Sequence, residues 1–91
     1  MLPDSEQALV IVASEGDRPA FEELVRRSSR LVFARLYLET GDAHRTEDLV
    51  QETMLIAFRS LKELTDPRAF RSWLPTIAEN VFLDSVRRER R

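Results

Sequence analysis

An all-α fold, a bundle of about four helices, is what this chain predicts, and three observations carry it. Apolar residues recur at three- and four-residue spacing wherever they are dense, as in Val50, Met54, Ala57, Leu61 and Leu64. No stretch alternates apolar and polar residues as a half-buried strand does. The periodic segments are separated by short breaks, at Gly16-Asp17, Gly41-Asp42 and Asp66-Pro67. Helices joined by such short connections form a bundle.

The first helix is expected over Ser5 to Glu15, with Leu9, Val10, Val12 and Ala13 apolar and Gly16 as its stop. Asp17 then caps a second helix, with Pro19 tolerated in its first turn. That helix is expected from about Pro19 to Glu39. Phe21, Leu24, Val25, Leu31, Val32 and Leu38 line its apolar face, which Ser28 and Arg35 interrupt. Arg26, Arg27 and Arg30 form an outer basic patch, as solvated surfaces often do. Asp42 or Thr46 caps the third helix, and Glu47 and Asp48 suit its positive end. The fourth helix is expected from Arg68 to about Arg90, with Asp66 as cap and Pro67 in the first helical position. Its apolar residues are Phe70, Trp73, Leu74, Ile77, Ala78, Val81 and Leu83. Pro75 lacks an amide hydrogen and crowds the carbonyl of Arg71, so a kink or restart is expected there.

The third helix is apolar over most of its circumference, with Thr53 inside the face of Val50 and Met54 and Leu49 and Ile56 widening it on one side. Such a helix packs on more than one side. Asp48, Gln51, Glu52, Leu55 and Arg59 share the opposite stripe. Two readings fit it: a solvated face with one exposed leucine, or a docking face on which polar groups set register and the leucine fills a groove.

The totals bound the function. Ninety-one residues make one small domain, and a chain this short buries only about two thirds of its unfolded surface. There is no cysteine, hence no disulfide framework and no thiolate metal site. The apolar runs fall short of the roughly 20 residues that span a bilayer. No signal peptide is visible at the start, so a cytoplasmic protein without membrane insertion is expected. The net charge of −2 hides an asymmetry. Residues 1–66 hold 8 basic and 13 acidic side chains, whereas residues 67–91 hold 6 and 3. The last quarter is therefore the candidate polyanion surface.

No catalytic set is visible. The two glycines lie far apart, so there is no phosphate loop. The single histidine, His44, has no partner for metal binding or nucleophile activation. Glu47, Asp48 and Glu52 lack the histidine of a di-iron bundle. Neither enzyme activity nor a metal or cofactor is expected.

Three blocks resemble a known family. They are Gly16-Asp17 with Ala20-Phe21-Glu22-Glu23-Leu24-Val25, then Glu47 to Thr53 with Ala57-Phe58-Arg59, then Phe70 to Leu74 with Ile77-Ala78-Glu79-Asn80, Asp84 and Arg87-Arg88. In this order and spacing they resemble region two of bacterial sigma factors, most closely the extracytoplasmic-function group. The resemblance covers essentially the whole chain.

It implies a domain that binds the clamp helices of the RNA polymerase beta-prime subunit and recognises and melts the promoter minus-ten element. The polymerase-facing stripe would be Asp48, Gln51, Glu52 and Leu55, with Met54, Phe58 and Arg59 at its margins. The non-template single strand would meet the loop from Lys62 to Ala69 and the fourth helix. Arg68 and Arg71 would meet phosphates there, and Arg87 and Arg88 duplex phosphates upstream. Asn80 matches a base-reading position, a role its donating and accepting amide suits, and Asp84 lies one turn later. Trp73 is expected in the core rather than as a stacking platform.

Pro75, Glu79 and Asp84 depart from the family's pattern. The two carboxylates would repel phosphate or accept from a cytosine amino group. The resemblance also implies an anti-sigma partner and a longer parent chain, whose helix-turn-helix domain is absent from residues 1–91. The alternative is a sigma-factor mimic that sequesters an anti-sigma factor without touching DNA.

Overall fold

The computed structural model describes residues 1–90. Four α-helices carry the fold: α1 (Glu6–Ser14), α2 (Arg18–Thr40), α3 (Ala43–Ser60) and α4 (Phe70–Glu89). Short 3-10 turns, Leu61–Glu63 and Pro67–Ala69, bridge α3 to α4. No strand occurs among the described residues. The basic end at Arg87 to Arg91 is described as far as Arg90, and Arg91 lies outside the described residues.

Each break is chemically specified. The Ser5 hydroxyl accepts from the Ala8 amide and starts α1. The Asp17 carboxylate accepts from Ala20, with Pro19 in the first turn of α2. Gly41, at φ 68°, ends α2 in the left-handed conformation, and its amide donates to the Tyr37 carbonyl at 2.9 Å. Asp42 rather than Thr46 caps α3, accepting from the Arg45 amide. Thr46 is fully buried and donates to the Asp42 carbonyl. Asp66 caps the turn at Pro67–Ala69, so the segment starting there is 3-10 before it becomes α4. Pro75 lies inside α4. The joined 3-10 piece and the amide hydrogen missing at Pro75 are consistent with a bend in this end of the helix.

The helices pack around one core in which Leu9, Leu24, Leu36 and Leu61 are the largest fully buried side chains. Burying each contributes about 1.5–3 kcal/mol relative to exposure. α2 packs against α1 and α3, and α3 packs against α4. The α3 core face is as expected: Leu49, Thr53, Met54, Ala57 and Leu61 are buried, and Val50 and Ile56 are half-buried against them. Thr53 is tolerated there because its hydroxyl donates to the Leu49 carbonyl at 2.7 Å. No buried side-chain polar atom lacks a partner among the described residues.

Three leucines are placed differently from the sequence expectation. Leu31 and Leu38 are 71% and 86% exposed, and Leu36 fills the core position instead. The helical phase explains this: Leu36 follows Val32 by four residues on the core side, and Leu31 and Leu38, seven residues apart, share the side roughly opposite. On α4, Leu83 is exposed and Ser85 is buried, its hydroxyl donating to the Phe82 carbonyl. Trp73 is half-buried against the core, with its ring 6.0 Å from that of Phe70.

Candidate polymerase and nucleic-acid interfaces

The outward stripe of α3 exists as a surface. Asp48, Gln51, Leu55, Phe58 and Arg59 are exposed, and Glu52 is half-exposed. Leu55 and Phe58 are large apolar side chains at 56% and 44% exposure, on a helix whose other face is committed to the core. They border an open groove between α2 and α3 whose other walls include Phe21, Val25, Val50 and Met54. Met54 is core, only 9% exposed, and contributes to the groove's floor rather than to the stripe.

Phe58 is fixed from below. Its ring meets Phe21 edge-on with centroids 5.0 Å apart, and the Arg18 guanidinium lies 5.9 Å from its centroid. Arg18 and Phe21 are therefore part of this surface. Sequence spacing within α3 could not find them, because they reach it from α2.

The expected nucleic-acid residues are distributed along α4 and the loop before it. Arg68, Arg71, Asn80, Asp84, Arg87 and Arg88 are all exposed. Asn80 lines a shallow polar depression with Arg71, Ser72, Thr76, Glu79 and Arg35. Arg71 and Asn80 thus share a site, whereas Arg87 and Arg88 lie two turns further along α4.

Each of the four expected arginines faces a carboxylate. Arg68 forms a fork with Asp66 through Nε and an Nη, both at 3.1 Å. That pairing, with the Arg68 amide, holds the Asp66 carboxyl below its usual range and pushes the guanidinium up. The Arg71 Nε donates to both oxygens of Glu6 on α1, at 3.1 and 3.2 Å. Arg87 pairs with Asp84 at 3.1 Å. Arg88 reaches across to Glu52 of α3 at 3.5 Å. One expected polymerase contact is therefore bound to one expected DNA contact.

A second carboxylate lies near Asn80. Glu39, at the end of α2, titrates above its ordinary value of 4.5. Partial desolvation is the largest cause, followed by the neighbouring Glu79 carboxylate; Arg35 opposes the shift.

Among the described residues no three His, Cys, Asp or Glu side chains come together as a metal site. No helix among them is long and apolar enough to cross a membrane.

Comparison with known proteins bears on this arrangement. The Sigma-70 region 2 family matches residues 24–91. The chain is 37% identical over 91 residues to the ECF RNA polymerase sigma factor SigE of Mycolicibacterium smegmatis, covering 97% of this chain and 35% of that protein. It is 29% identical over 76 residues to the ECF RNA polymerase sigma factor SigW of Bacillus subtilis, covering 84% and 41%. It is 36% identical over 92 residues to the ECF RNA polymerase sigma factor BldN of Streptomyces coelicolor, covering 96% and 35%. The chain thus spans well under half the length of these relatives. No solved structure matches it. The family match and the helical arrangement agree, and the chain belongs to the Sigma-70 region 2 family, as a region-two domain of the extracytoplasmic-function (ECF) sigma-factor type.

Proposed function

We propose that this domain acts in transcription initiation by binding the beta-prime clamp helices through α3 and engaging the non-template strand of the minus-ten element through α4. The observation that carries the reading is the α3 surface. Leu55 and Phe58 stand exposed beside an apolar groove, bracketed by Asp48, Gln51 and Arg59. An exposed apolar centre with a polar rim is the anatomy of a helix-docking site. The family supports the same assignment, since the relatives are RNA polymerase sigma factors. A cytoplasmic location follows from that partner.

Asn80 is suited to base reading because its amide offers both a donor and an acceptor, and it is exposed in the depression that Arg71 also lines. Melting would follow from holding the separated strand, with bases bound only when unpaired.

The test is binding of the domain to the isolated beta-prime clamp helices, with Gln51→Ala/Leu55→Ala as the variant. The expected result is binding that the variant loses while its helical content stays unchanged. A folded wild-type domain that does not bind the clamp helices refutes the assignment.

A second reading, the mimic that sequesters an anti-sigma factor without DNA, has one observation in its favour. Arg68, Arg71, Arg87 and Arg88 each lie against a carboxylate of the same chain. Paired arginines offer less to phosphate than their number suggests. Under this reading the domain binds an anti-sigma factor, and Asn80→Ala and Arg71→Ala have no single-strand binding to remove.

A further inference from the structure

Two depressions run end to end along the seam between α2 and α4. One is lined by Arg27, Leu31, Val32, Arg35, Phe70 and Arg71, among others, and has a volume of about 400 Å³. The other holds Asn80, Ser72, Thr76 and Glu79. Arg35, Arg71 and Pro75 line both, so the two depressions adjoin, and the second reaches Asn80. Pro75 in the shared wall has no amide hydrogen to present.

The arginines of these depressions are not equivalent. Arg71 is engaged by Glu6. Arg27 is engaged by Glu23 and by the Asp4 carbonyl. Arg35 is exposed and forms no ion pair among the described residues. Its sequence position disguised it, because it falls inside the apolar pattern of α2 as an interruption.

We infer that the α2–α4 seam carries the phosphodiester backbone of the single strand whose base meets Asn80, with Arg35 as its principal cation. This rests on the proposed reading of the Asn80 site and extends it from α4 onto α2. Arg27 and Arg35 are eight residues apart, roughly 12 Å along the helix. A stacked strand covers that distance in about three to four nucleotides at ~3.4 Å each. The polar lining at the Asn80 end suits a phosphodiester better than it suits an apolar helix face. The carboxylates of Glu39 and Glu79 lie near the same end. Arg35 therefore provides local positive charge where repulsion would otherwise dominate.

The experiment is a salt titration of binding to short labelled single strands, oligothymidine and a mixed-sequence pool, at low ionic strength. Wild type is compared with Arg35→Gln, Arg35→Lys and Arg30→Gln. Arg30 sits on the other side of α2, beside Phe33 and Glu47. Circular dichroism confirms that each variant is folded. Arg35→Gln should weaken binding about three- to tenfold on both probes alike and lower the log–log salt slope by ~0.7, the share of one phosphate contact on a single strand. Arg35→Lys should keep the wild-type slope, and Arg30→Gln should change neither quantity.

Equal affinity and slope for Arg35→Gln and Arg30→Gln overturn the inference while leaving the Asn80 reading in place. That result is also the one expected if the seam instead holds an acidic helix. A loss confined to one base composition overturns it too, because a phosphate contact carries no sequence information. A folded wild-type domain that binds neither probe overturns the inference and the DNA half of the proposed function together.

Discussion

The outward face of α3 and the outward face of α4 are both helical surfaces with charged residues at regular spacing, yet they are left in opposite states. On α3 the apolar centre stays open: Leu55 and Phe58 are exposed, and the groove beside them is unfilled. On α4 and the turn before it the expected cations are consumed within the chain, by Asp66, Glu6, Asp84 and Glu52. The difference teaches that a basic cluster in a sequence is a count of cations, not of available cations. An exposed leucine has no partner to hide behind, whereas an exposed arginine finds a carboxylate wherever the fold brings one near.

Removing what both faces rest on is the strongest perturbation. Leu49→Ala, on the buried side of α3, should cost about 2–5 kcal/mol of stability in a denaturant titration. Clamp-helix and single-strand binding should then fail together, which sets the baseline against which selective changes are judged.

Phe58→Ala separates the faces. It removes the edge-on contact with Phe21 and should lower stability by about 1 kcal/mol. Clamp-helix affinity should fall tenfold or more, as for a central aromatic anchor, with single-strand binding unchanged. Equal losses in both assays would show that the two faces are not independent.

Asp66→Ala tests the α4 side. It removes the cap on the turn at Pro67–Ala69 and also frees Arg68. Thermal unfolding should report a loss of about 1 kcal/mol, while single-strand affinity rises. A fall in affinity would mean that Asp66 positions Arg68 for the strand rather than occupying it.

Glu6→Gln is the milder version of the same question. The Arg71 pair is exposed, so stability should change by less than ~1 kcal/mol. Single-strand binding should strengthen about twofold, and Arg71→Gln should cancel the gain.

The smallest effect concerns Glu39 and Glu79. The folded chain holds the Glu39 proton more tightly than the unfolded chain does, since its carboxyl titrates above 4.5 through partial desolvation and the neighbouring Glu79. Stability from this group is therefore fully present below the ordinary glutamate range and is lost as pH rises through the raised value. Glu79→Gln should raise the unfolding temperature slightly at pH 7, and the gain should vanish near pH 4. A gain that persists at pH 4 would point to packing rather than charge.

Much of the architecture was legible in the chain. Asp17 marked the start of α2, Asp42 was one of two candidates for the start of α3, Asp66 marked the 3-10 turn that leads into α4, and Gly41 marked one stop, because capping and left-handed geometry are local chemistry. The α3 stripe was legible because α3 keeps one phase over its whole length. The α2 face was less so: Leu31 and Leu38 fitted the spacing as well as Leu36 did until neighbours chose among them. Ser85 was taken inside and Leu83 left out for the same reason, with the serine's hydroxyl satisfied by the backbone one turn back.

By itself, then, the order of residues determined the number and order of the helices, most of their caps, the buried side of α3 and the open stripe opposite, since these depend on near neighbours and on periodicity; the 3-10 start before α4 was not legible. Only the tertiary structure decided that Glu6 engages Arg71 and Glu52 engages Arg88, that Arg18 and Phe21 complete the α3 surface, and that Arg35 lines a depression with Asn80. These relations join residues up to 65 positions apart, as Glu6 and Arg71 are. The Asp66–Arg68 and Asp84–Arg87 pairs are near neighbours in the chain, but pairing between helices follows distance in space, which no local pattern encodes.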